Sequence, residues 1–217
     1  MIAGVILAGG ASRRMGRPKA LLDYRGETFA GRLIRVLSGA CDPVIVALGH
    51  QEAVIRPHLN GAHLNDAARF VVNPDPERGQ LSSLQVALDA VPSEAEGFLF
   101  IPVDCPALEP GTLSRVVEAF RGRDASTLFV IPSYRGRHGH PVCAARELLP
   151  EFLALSPTGQ AREVVHRHIA HTQYIDVDDA GILVDIDDAG AYRRLAGANP
   201  LEGNPSEVNP PDVVPRT

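Results

Sequence analysis

The sequence has few cysteines, no excess of positive charge and no long apolar run, and each absence excludes a class of protein. Its 217 residues include three cysteines, an odd number that does not suggest a disulfide framework and favours a reducing compartment. The net charge of −5 argues against nucleic acid as the main partner. The apolar run 2–8 is too short for a signal peptide or a transmembrane helix. We therefore expect a cytoplasmic protein that binds neither nucleic acid nor a membrane.

The order of apolar segments indicates one α/β domain. Apolar residues make up 45% of the chain, which is enough for a sizeable core. Short apolar runs alternate with amphipathic segments, in the order 2–8, 28–37, 43–48, 51–59 and 69–72. This alternation, with right-handed crossovers, predicts an α/β domain with a parallel sheet and helices on both of its faces. We expect the domain to cover residues 1–196 and a Pro-rich, disordered tail to cover 197–217.

The segment after the first apolar run combines paired glycines with positive charge. Gly9 and Gly10 allow the backbone to bend and approach a ligand, and their N–H groups can point at phosphate oxygens. The cations that follow are Arg13, Arg14, Arg17 and Lys19. The spacing matches neither a P-loop nor the Gly-x-Gly-x-x-Gly dinucleotide motif. The segment therefore indicates a phosphate site, with a tight turn before a solvated basic loop as the alternative.

Residues 7–22, LAGGASRRMGRPKALL, resemble the signature loop of the nucleotidyltransferases that build sugar nucleotides and nucleotide-capped cofactors. The resemblance is strongest to the molybdenum cofactor guanylyltransferase and cytidylyltransferase group. It implies a single Rossmann-like three-layer α/β/α domain with a mostly parallel central sheet, similar to the nucleotide-diphospho-sugar transferases. It also implies a loop that holds the nucleotide and its triphosphate. By resemblance, Arg14 and Lys19 are catalytic and stabilise charge on the triphosphate. The nucleotide-binding residues of this loop would be Leu7, Ala8, Gly9, Gly10, Ser12, Arg14 and Lys19.

Residues 73–84 form a second informative segment. Its prolines exclude helix, Gly79 indicates a sharp turn, and Ser82 or Ser83 is predicted to cap the helix that follows. The alternative is an ordinary connection with a serine cap. The resemblance implies instead that this loop reads the base and holds the ribose. The residues concerned would be Asn73, Gly79, Gln80 and Ser82.

Three carboxylates are candidate ligands of Mg²⁺. Asp104 follows the predicted strand 98–101, and one carboxylate with phosphate oxygens is enough to begin a magnesium site. Alone it would more often be a cap, but Asp104-Cys105-Pro106 is similar to the family's motif, which implies that Asp104 is catalytic and binds both metal and nucleotide. Asp185 and Asp187 are predicted on one face of a last strand, with Ile186 buried opposite. Either could be a second ligand, and capping of the last helix is the alternative.

The segment 132–142 carries the candidate acceptor-binding residues. Arg137, His138 and His140 lie on a glycine-containing loop that suits an anionic acceptor such as a pterin phosphate. A similar segment closes over the acceptor in the cytidylyltransferase-like branch of the family. A metal site built on the His-x-His pair is a weaker alternative. Residues 156–162 lack the acidic residue that the family usually has there, so the acceptor's identity stays open.

The resemblance implies Mg²⁺-dependent transfer of a nucleotide from CTP or GTP to a phosphorylated acceptor, molybdopterin above all, and contact with molybdoenzyme maturation proteins. The base signals conflict. The segment 7–10 looks like the guanylyl enzymes, whereas 82–84 and 139–141 look like the cytidylyl branch, which we favour slightly because more of the chain agrees with it. Sugar phosphates and phospholactate-type acceptors stay open. The alternatives of another class are a non-catalytic nucleotide-binding module and a thiol enzyme using Cys105.

Overall fold

A central sheet of eight strands organises the chain. The computed structural model describes residues 1–61, 64, 66–156 and 158–197. The strands are β1 (Ile2–Ala8), β2 (Asp23–Tyr24), β3 (Glu27–Thr28), β4 (Val44–Leu48), β5 (Arg69–Val72), β6 (Gly97–Pro102), β7 (Phe129–Tyr134), β8 (Arg137–His138), β9 (Val142–Ala145) and β10 (Thr172–Asp176). β2 and β3 form a separate two-stranded hairpin.

Helices connect most of these strands. They are α1 (Phe29–Ser38), α2 (Glu52–Gly61), α3 (Gln80–Asp89), α4 (Pro110–Arg121), α5 (Leu149–Leu153), α6 (Arg162–Arg167) and α7 (Ala189–Gly197). Short 3₁₀ turns cover Lys19–Leu21, Pro76–Arg78, Arg146–Leu148, Ile169–His171 and Ala180–Leu183. Within the described ranges, every helix is too short or too polar to cross a bilayer.

The sheet order confirms the predicted mostly parallel, Rossmann-like α/β domain. Across the sheet the strands follow the order β10-β7-β9-β6-β1-β4-β5, and β8 pairs with β7. β5, β4, β1 and β6 are mutually parallel, as are β10 and β7. β9 is antiparallel to both of its neighbours, β6 and β7. β9 is therefore the one reversed strand in the seven-strand path, whose other strands are parallel.

Apolar side chains fill both faces of the sheet. Along β1, Ile2 and Ile6 pack into one core with α1 and α4, whereas Val5 and Leu7 pack into a second core with α3 and α5. A strand that is buried on both faces consists almost entirely of apolar residues, which explains the continuous apolar run at the start of the sequence. The arrangement gives the three layers that the sequence predicts.

The register of the parallel strands brings three loops to one edge. Ala8 pairs with Leu48 of β4, and Leu7 pairs with Pro102 of β6. The segments that leave these strands therefore emerge side by side at the carboxyl edge, where open α/β sheets bind ligands. Backbone bonds join them there, since the N–H of Val103 donates to the carbonyl of Leu7 at 3.0 Å.

Two local predictions are wrong. α3 begins at Gln80 rather than after a serine cap, because Gly79, with φ +91°, takes the N-cap position. Residues 183–188 do not form a strand. Leu183 ends a 3₁₀ turn and 184–188 are irregular, although the predicted alternation holds, with Ile186 buried between exposed Asp185 and Asp187. The N–H of Ile186 donates to the carbonyl of Asp104, in the segment that follows β6.

The C-terminal predictions differ in their boundaries. The sequence predicts helices over 147–155 and 159–168, separated by 156–158, but the observed helices are shorter, since α5 covers five residues and α6 covers six. α7 ends at Gly197, one residue into the predicted tail. The rest of that tail, 198–217, lies outside the described residues.

Candidate functional site

Two cavities lie at the carboxyl edge of the sheet and share a wall. The first, about 490 Å³, is lined by residues of the segments 7–20 and 76–83. The second, about 910 Å³, is lined by residues of 78–84, 137–142, 158–162 and 182–187. Asp104 and Asp187 line both cavities, so any groups bound in the two would meet at these carboxylates.

The loop after β1 is held in a narrow conformation. A Cβ at Gly9 would collide with the hydroxyl of Ser83 on α3, so a larger residue cannot stand there without displacing Ser83. The hydroxyl of Ser12 accepts a hydrogen bond from the backbone N–H of Lys19 at 3.0 Å and closes the loop. The candidate residues from Leu7 to Ser12, together with Arg14, line the first cavity.

Lys19 stands between two of the candidate carboxylates. Its Nζ donates to Asp104 Oδ2 and to Asp187 Oδ1, each at 2.9 Å. Burial alone would lower the pKa of Lys19, but the hydrogen bonds and charges of Asp104 and Asp187 outweigh burial and raise the pKa above its ordinary value. The lysine is therefore a fixed cation at the junction of the two cavities.

The third carboxylate completes a group that suits a divalent cation. One oxygen each from Asp104, Asp185 and Asp187 lies within 4.8 Å of the others. Burial, followed by the negative charges of Asp104 and Asp187, raises the pKa of Asp185. Hard oxygen donors at this spacing fit Mg²⁺ or Mn²⁺, and a divalent cation would relieve the repulsion that raises this pKa.

The histidines that the structure describes do not form an alternative metal centre. Among the residues that the structure describes, the group with three or more metal-capable side chains is the carboxylate one. The ring of His138 stacks on Tyr174 with centroids 3.7 Å apart, and His168 bonds Glu151 at 2.7 Å. The His-x-His metal site is therefore not supported.

The loop after β5 contributes to the first cavity, but two of its predicted contacts point elsewhere. Asn73 and Ser82 are buried, and the Asn73 amide donates to Ser82 Oγ at 2.8 Å and to Ser83 Oγ at 3.0 Å. Ser82 Oγ donates in turn to the Gly79 carbonyl at 2.8 Å. These bonds support the loop, and nucleotide contact by Asn73 and Ser82 stays a prediction. Gly79 and Gln80 are exposed and line both cavities.

Three hydrogen-bonded side chains, Arg13, His50 and Glu77, line the first cavity, and the sequence analysis gave no site role to His50 or Glu77. His50 approaches the Gly9 carbonyl through Nδ1 at 3.1 Å and Glu77 through Nε2 at 2.8 Å. Arg13 donates to the same carboxylate at 3.0 Å. The hydrogen bond with Glu77 is the largest cause of the raised pKa of His50. The signal for His50 was available, because it follows the carboxyl end of β4, next to β1.

The second cavity combines an apolar floor with cations at its rim. The floor includes Leu84, Phe100, Ile131 and Val142, and three arginines line the cavity from three different elements: Arg78, Arg137 and Arg162. Within the described part of the chain, none of these arginines forms an ion pair. The arrangement can hold an anionic molecule that also has an apolar body. The sequence analysis named Arg137 but gave no site role to Arg78 or Arg162.

The two candidate histidines of this cavity differ in environment. His138 lies on β8, where it stacks on Tyr174. His140 is largely buried, and its Nδ1 has no hydrogen-bond partner among the described residues. Burial lowers the pKa of His140, against the opposing charge of Asp104, so the ring is neutral at neutral pH. A neutral imidazole can donate to or accept from a bound acceptor.

Cys105 is unsuited to nucleophilic chemistry. The thiol is 4% exposed, and burial, followed by the negative charges of Asp104 and Asp185, raises its pKa far above the ordinary value. A buried thiol with a raised pKa forms no thiolate at neutral pH. The thiol-enzyme alternative is therefore not supported.

Comparison with known proteins places the chain among nucleotidyltransferases. Residues 4–172 match the family described as the MobA-like NTP transferase domain. A nicotine blue oxidoreductase of Paenarthrobacter nicotinovorans is 32% identical over 89% of this chain and 96% of its own. A probable molybdenum cofactor guanylyltransferase of Mycobacterium ulcerans is 30% identical over 87% of this chain and 90% of its own. The one from Opitutus terrae is 39% identical, over 56% of this chain and 58% of its own.

Solved structures give the same result. The crystal structure of Rv0371c from Mycobacterium tuberculosis H37Rv superposes with a TM-score of 0.76 at 33% identity, covering 89% of this chain and 96% of that one. The same protein has also been solved in complex with manganese. A nucleotidyl transferase from Methanothermobacter has a TM-score of 0.75 at 26% identity, covering 91% of this chain and 97% of that one.

Proposed function

The chain belongs to the MobA-like NTP transferase family, and we propose that it transfers a nucleoside monophosphate from GTP to a molybdopterin-type acceptor, with release of pyrophosphate. Nucleotidyl transfer follows from the family itself. The choice of GTP over CTP is supported by the guanylyltransferase names of several relatives and by the guanylyl-type segment 7–10. It reverses the slight preference for the cytidylyl branch that the segments 82–84 and 139–141 suggested.

One observation carries the proposal, namely the shared wall of the two cavities. A nucleotide in the first cavity and an acceptor in the second would meet beside Lys19, Asp104 and Asp187. An acceptor phosphate oxygen attacks the α-phosphorus of the nucleotide and forms the new P–O bond. The bond between the α-phosphorus and its bridging oxygen breaks, and its electron pair leaves with pyrophosphate. Alignment and charge neutralisation are the main requirements of such a reaction.

The residues at the junction supply the alignment and the charge. The loop residues of the first cavity offer backbone N–H groups to the phosphates, while Arg14 and the ammonium of Lys19 neutralise charge that grows on the leaving pyrophosphate. We assign Asp104, Asp185 and Asp187 as ligands of Mg²⁺. When bound, the cation would neutralise phosphate charge and make the α-phosphorus more electrophilic. The manganese complex of the related Rv0371c supports a divalent cation in this family.

The acceptor assignment has separate support. The rim of unpaired arginines and the apolar floor suit a phosphorylated, flat heterocycle better than a small hydrophilic sugar phosphate. Phospholactate-type and sugar phosphate acceptors are the alternatives, and the experiment below compares them with molybdopterin. We propose contacts to the acceptor from Arg137, His138 and His140, extended now by Arg78 and Arg162.

The test has a binding part and a turnover part. The melting temperature of the purified chain is measured with each of the four NTPs and Mg²⁺, because a ligand that binds only the native state raises it by mass action. Pyrophosphate release is then measured with molybdopterin, a sugar phosphate or phospholactate as acceptor. We expect stabilisation by GTP and release with molybdopterin, both dependent on Mg²⁺ or Mn²⁺.

Two carboxamide variants control this experiment. Asp104→Asn should abolish pyrophosphate release, whereas Asp176→Asn, an exposed aspartate on β10 that lines neither cavity, should leave it unchanged. Stabilisation by CTP alone would overturn the base assignment. A chain that responds to none of the NTPs would contradict the proposed function as a whole.

A further inference from the structure

The most deeply buried charged side chain of α1 faces the segment that follows Asp104. Arg32 is 4% exposed. A buried cation is costly unless its donors are satisfied, and here its Nε donates to the Pro106 carbonyl at 2.8 Å and its Nη2 to the Leu108 carbonyl at 3.2 Å. The nearest carboxylate oxygen, on Glu109, is 3.6 Å from Nη2. The guanidinium therefore donates its hydrogen bonds mainly to two backbone carbonyls.

Those carbonyls belong to the irregular segment that carries Asp104. Between the end of β6 and the start of α4, residues 103–109 adopt neither helix nor strand. Asp104 lies near the head of this segment, inside the local turn in which the N–H of Cys105 donates to the Pro102 carbonyl. The planar fork of Arg32 bonds two carbonyls of the segment at once, which a lysine ammonium on a flexible stem does less well.

A buried carboxylate fixes the far end of the same segment. One oxygen of Asp179, Oδ2, accepts from the N–H of Glu109 at 3.1 Å and from Thr112 Oγ1 at 2.8 Å. The other, Oδ1, accepts from the N–H of Gly181 at 2.7 Å. Asp179 therefore joins the segment after Asp104 to the segment that leads to Asp185 and Asp187.

The two supports converge on the carboxylate cluster. The N–H of Ile186 donates to the carbonyl of Asp104 at 2.9 Å, so the backbones that carry the carboxylates are bonded directly. Arg32 holds this joined unit against α1 and Asp179 holds it against α4. From these contacts we infer that Arg32 and Asp179 are positioning residues, which set the separation of Asp104, Asp185 and Asp187 and thereby the affinity of the cluster for a divalent cation. This inference rests on the proposed function, because it assumes that the cluster binds the cation.

The inference is tested by direct binding of Mn²⁺ to the full chain, without substrate. Partners that orient metal ligands typically change metal affinity by 10- to 100-fold when they are removed, so we expect the Mn²⁺ Kd of Arg32→Lys and of Asp179→Asn to rise by about tenfold or more. The Mg²⁺ concentration that gives half-maximal pyrophosphate release should rise in parallel, while the KM for GTP at saturating Mg²⁺ stays near the native value. A merely structural loss would lower the melting temperature without this selective change.

The matched control is Arg35→Lys, one turn further along α1. Arg35 is exposed and pairs with Glu27, away from the cluster, so its Mn²⁺ Kd should equal that of the native chain. If either Arg32→Lys or Asp179→Asn folds and binds Mn²⁺ with native affinity, the inference is wrong for that residue. If one of the two variants fails to fold, the Mn²⁺ Kd of the other variant tests the inference. A native chain that binds no Mn²⁺ would instead contradict the metal site of the proposed function.

Discussion

Replacing Lys19 with methionine removes the cation from the carboxylate cluster, and we expect the variant to lose stability in a pH-dependent way. In the native chain the Lys19 ammonium lies 2.9 Å from oxygens of both Asp104 and Asp187, and the side chain is 14% exposed. Methionine keeps most of the apolar stem and removes the charge. The three carboxylates are then left without their neutralising partner.

The size of the effect follows from the two ion pairs that the variant loses. The Lys19 Nζ lies 2.9 Å from an oxygen of Asp104 and from one of Asp187. Two opposite unit charges at this distance attract by about 6 kcal/mol when the effective dielectric constant is about 20. The desolvation of the native ammonium offsets much of this attraction, and water and salt screen the pair with Asp187, which is 60% exposed. We therefore expect Lys19→Met to lower the free energy of unfolding by about 1–2 kcal/mol near neutral pH.

The sign of the pH dependence is fixed by Asp185. Its pKa is already raised, first by burial and then by Asp104 and Asp187, whereas Lys19 lowers it. Without Lys19 this pKa rises further. A carboxyl with a raised folded-state pKa contributes stability below its unfolded pKa of about 4 and loses it as the pH rises through the folded pKa. The variant should therefore be close to native stability at acidic pH and fall behind as the pH approaches neutrality.

Urea unfolding over a series of pH values measures this difference, with Arg17→Met as the control. Arg17 belongs to the same loop, but its guanidinium lies over the ring of Tyr192, 5.6 Å from its centroid. Mg²⁺ should restore part of the stability of Lys19→Met, and pyrophosphate release should fall by about 10²–10³-fold. A stability loss that is the same at every pH, or one that Arg17→Met reproduces, would refute the electrostatic reasoning.

Three further outcomes follow from the site. Glu77→Gln should return the pKa of His50 toward its ordinary value, because the hydrogen bond and the charge of Glu77 raise it. The ion pair of His50 with Glu77 stabilises the native chain below the raised pKa of His50 and is lost as the pH rises through that pKa. An NMR titration of the ring with an unmoved midpoint would contradict this. Gly9→Ala should lower the melting temperature through its collision with Ser83, and adding Ser83→Gly should recover it; equal melting curves for the single and double variants would speak against the collision. Arg162→Ala should raise the KM for the acceptor by about tenfold, as expected for a lost charge-assisted hydrogen bond. Steady-state kinetics with each substrate varied would disprove this if the KM for the nucleotide rose instead.

The elements predicted correctly from the sequence are those set by local pattern. β5 occupies the predicted range, and β1 follows the apolar run before the glycines. Threonine is a preferred N-cap residue, and Thr28, the first residue of the predicted segment 28–37, caps α1 by accepting from the N–H of Gly31 at 3.1 Å. In each case the residues that decide the structure are neighbours in sequence. Periodicity and cap preference therefore suffice to predict the element.

The elements predicted wrongly depend on distant partners. The segment 183–188 alternates like a strand but gains its backbone bond from Asp104 rather than from a ladder. Ser82 looks like a helix cap, yet its hydroxyl donates to carbonyls of the preceding turn and accepts from Asn73. Alternation and residue type cannot distinguish a strand from an irregular segment, or a helix cap from a loop support. The hydrogen-bond partner that determines the structure lies elsewhere in the chain.

The candidate site divides in the same way. The structure brings together Lys19, Asp104, Asp185 and Asp187 from three separate segments, as the resemblance implies, although their roles remain proposals. Arg32 escaped notice because a buried arginine in a helix looks like a solvated one in sequence. Its role becomes visible only when its two carbonyl partners are located.

The reversed strand β9 makes β6 a boundary between two exchangeable halves. Because β9 runs against β6, its first residue, Val142, pairs with Phe100 near the carboxyl edge, and the loop before it opens into the second cavity. The loops after β1 and β4 line the first cavity, on the other side of β6, and the loop after β5 lines both cavities. A loop on the β9 side can therefore lengthen or change composition while the strands that hold the other cavity keep their register. Such a scaffold lets one substrate be replaced in evolution, or by an engineer, while the machinery for the other is inherited intact.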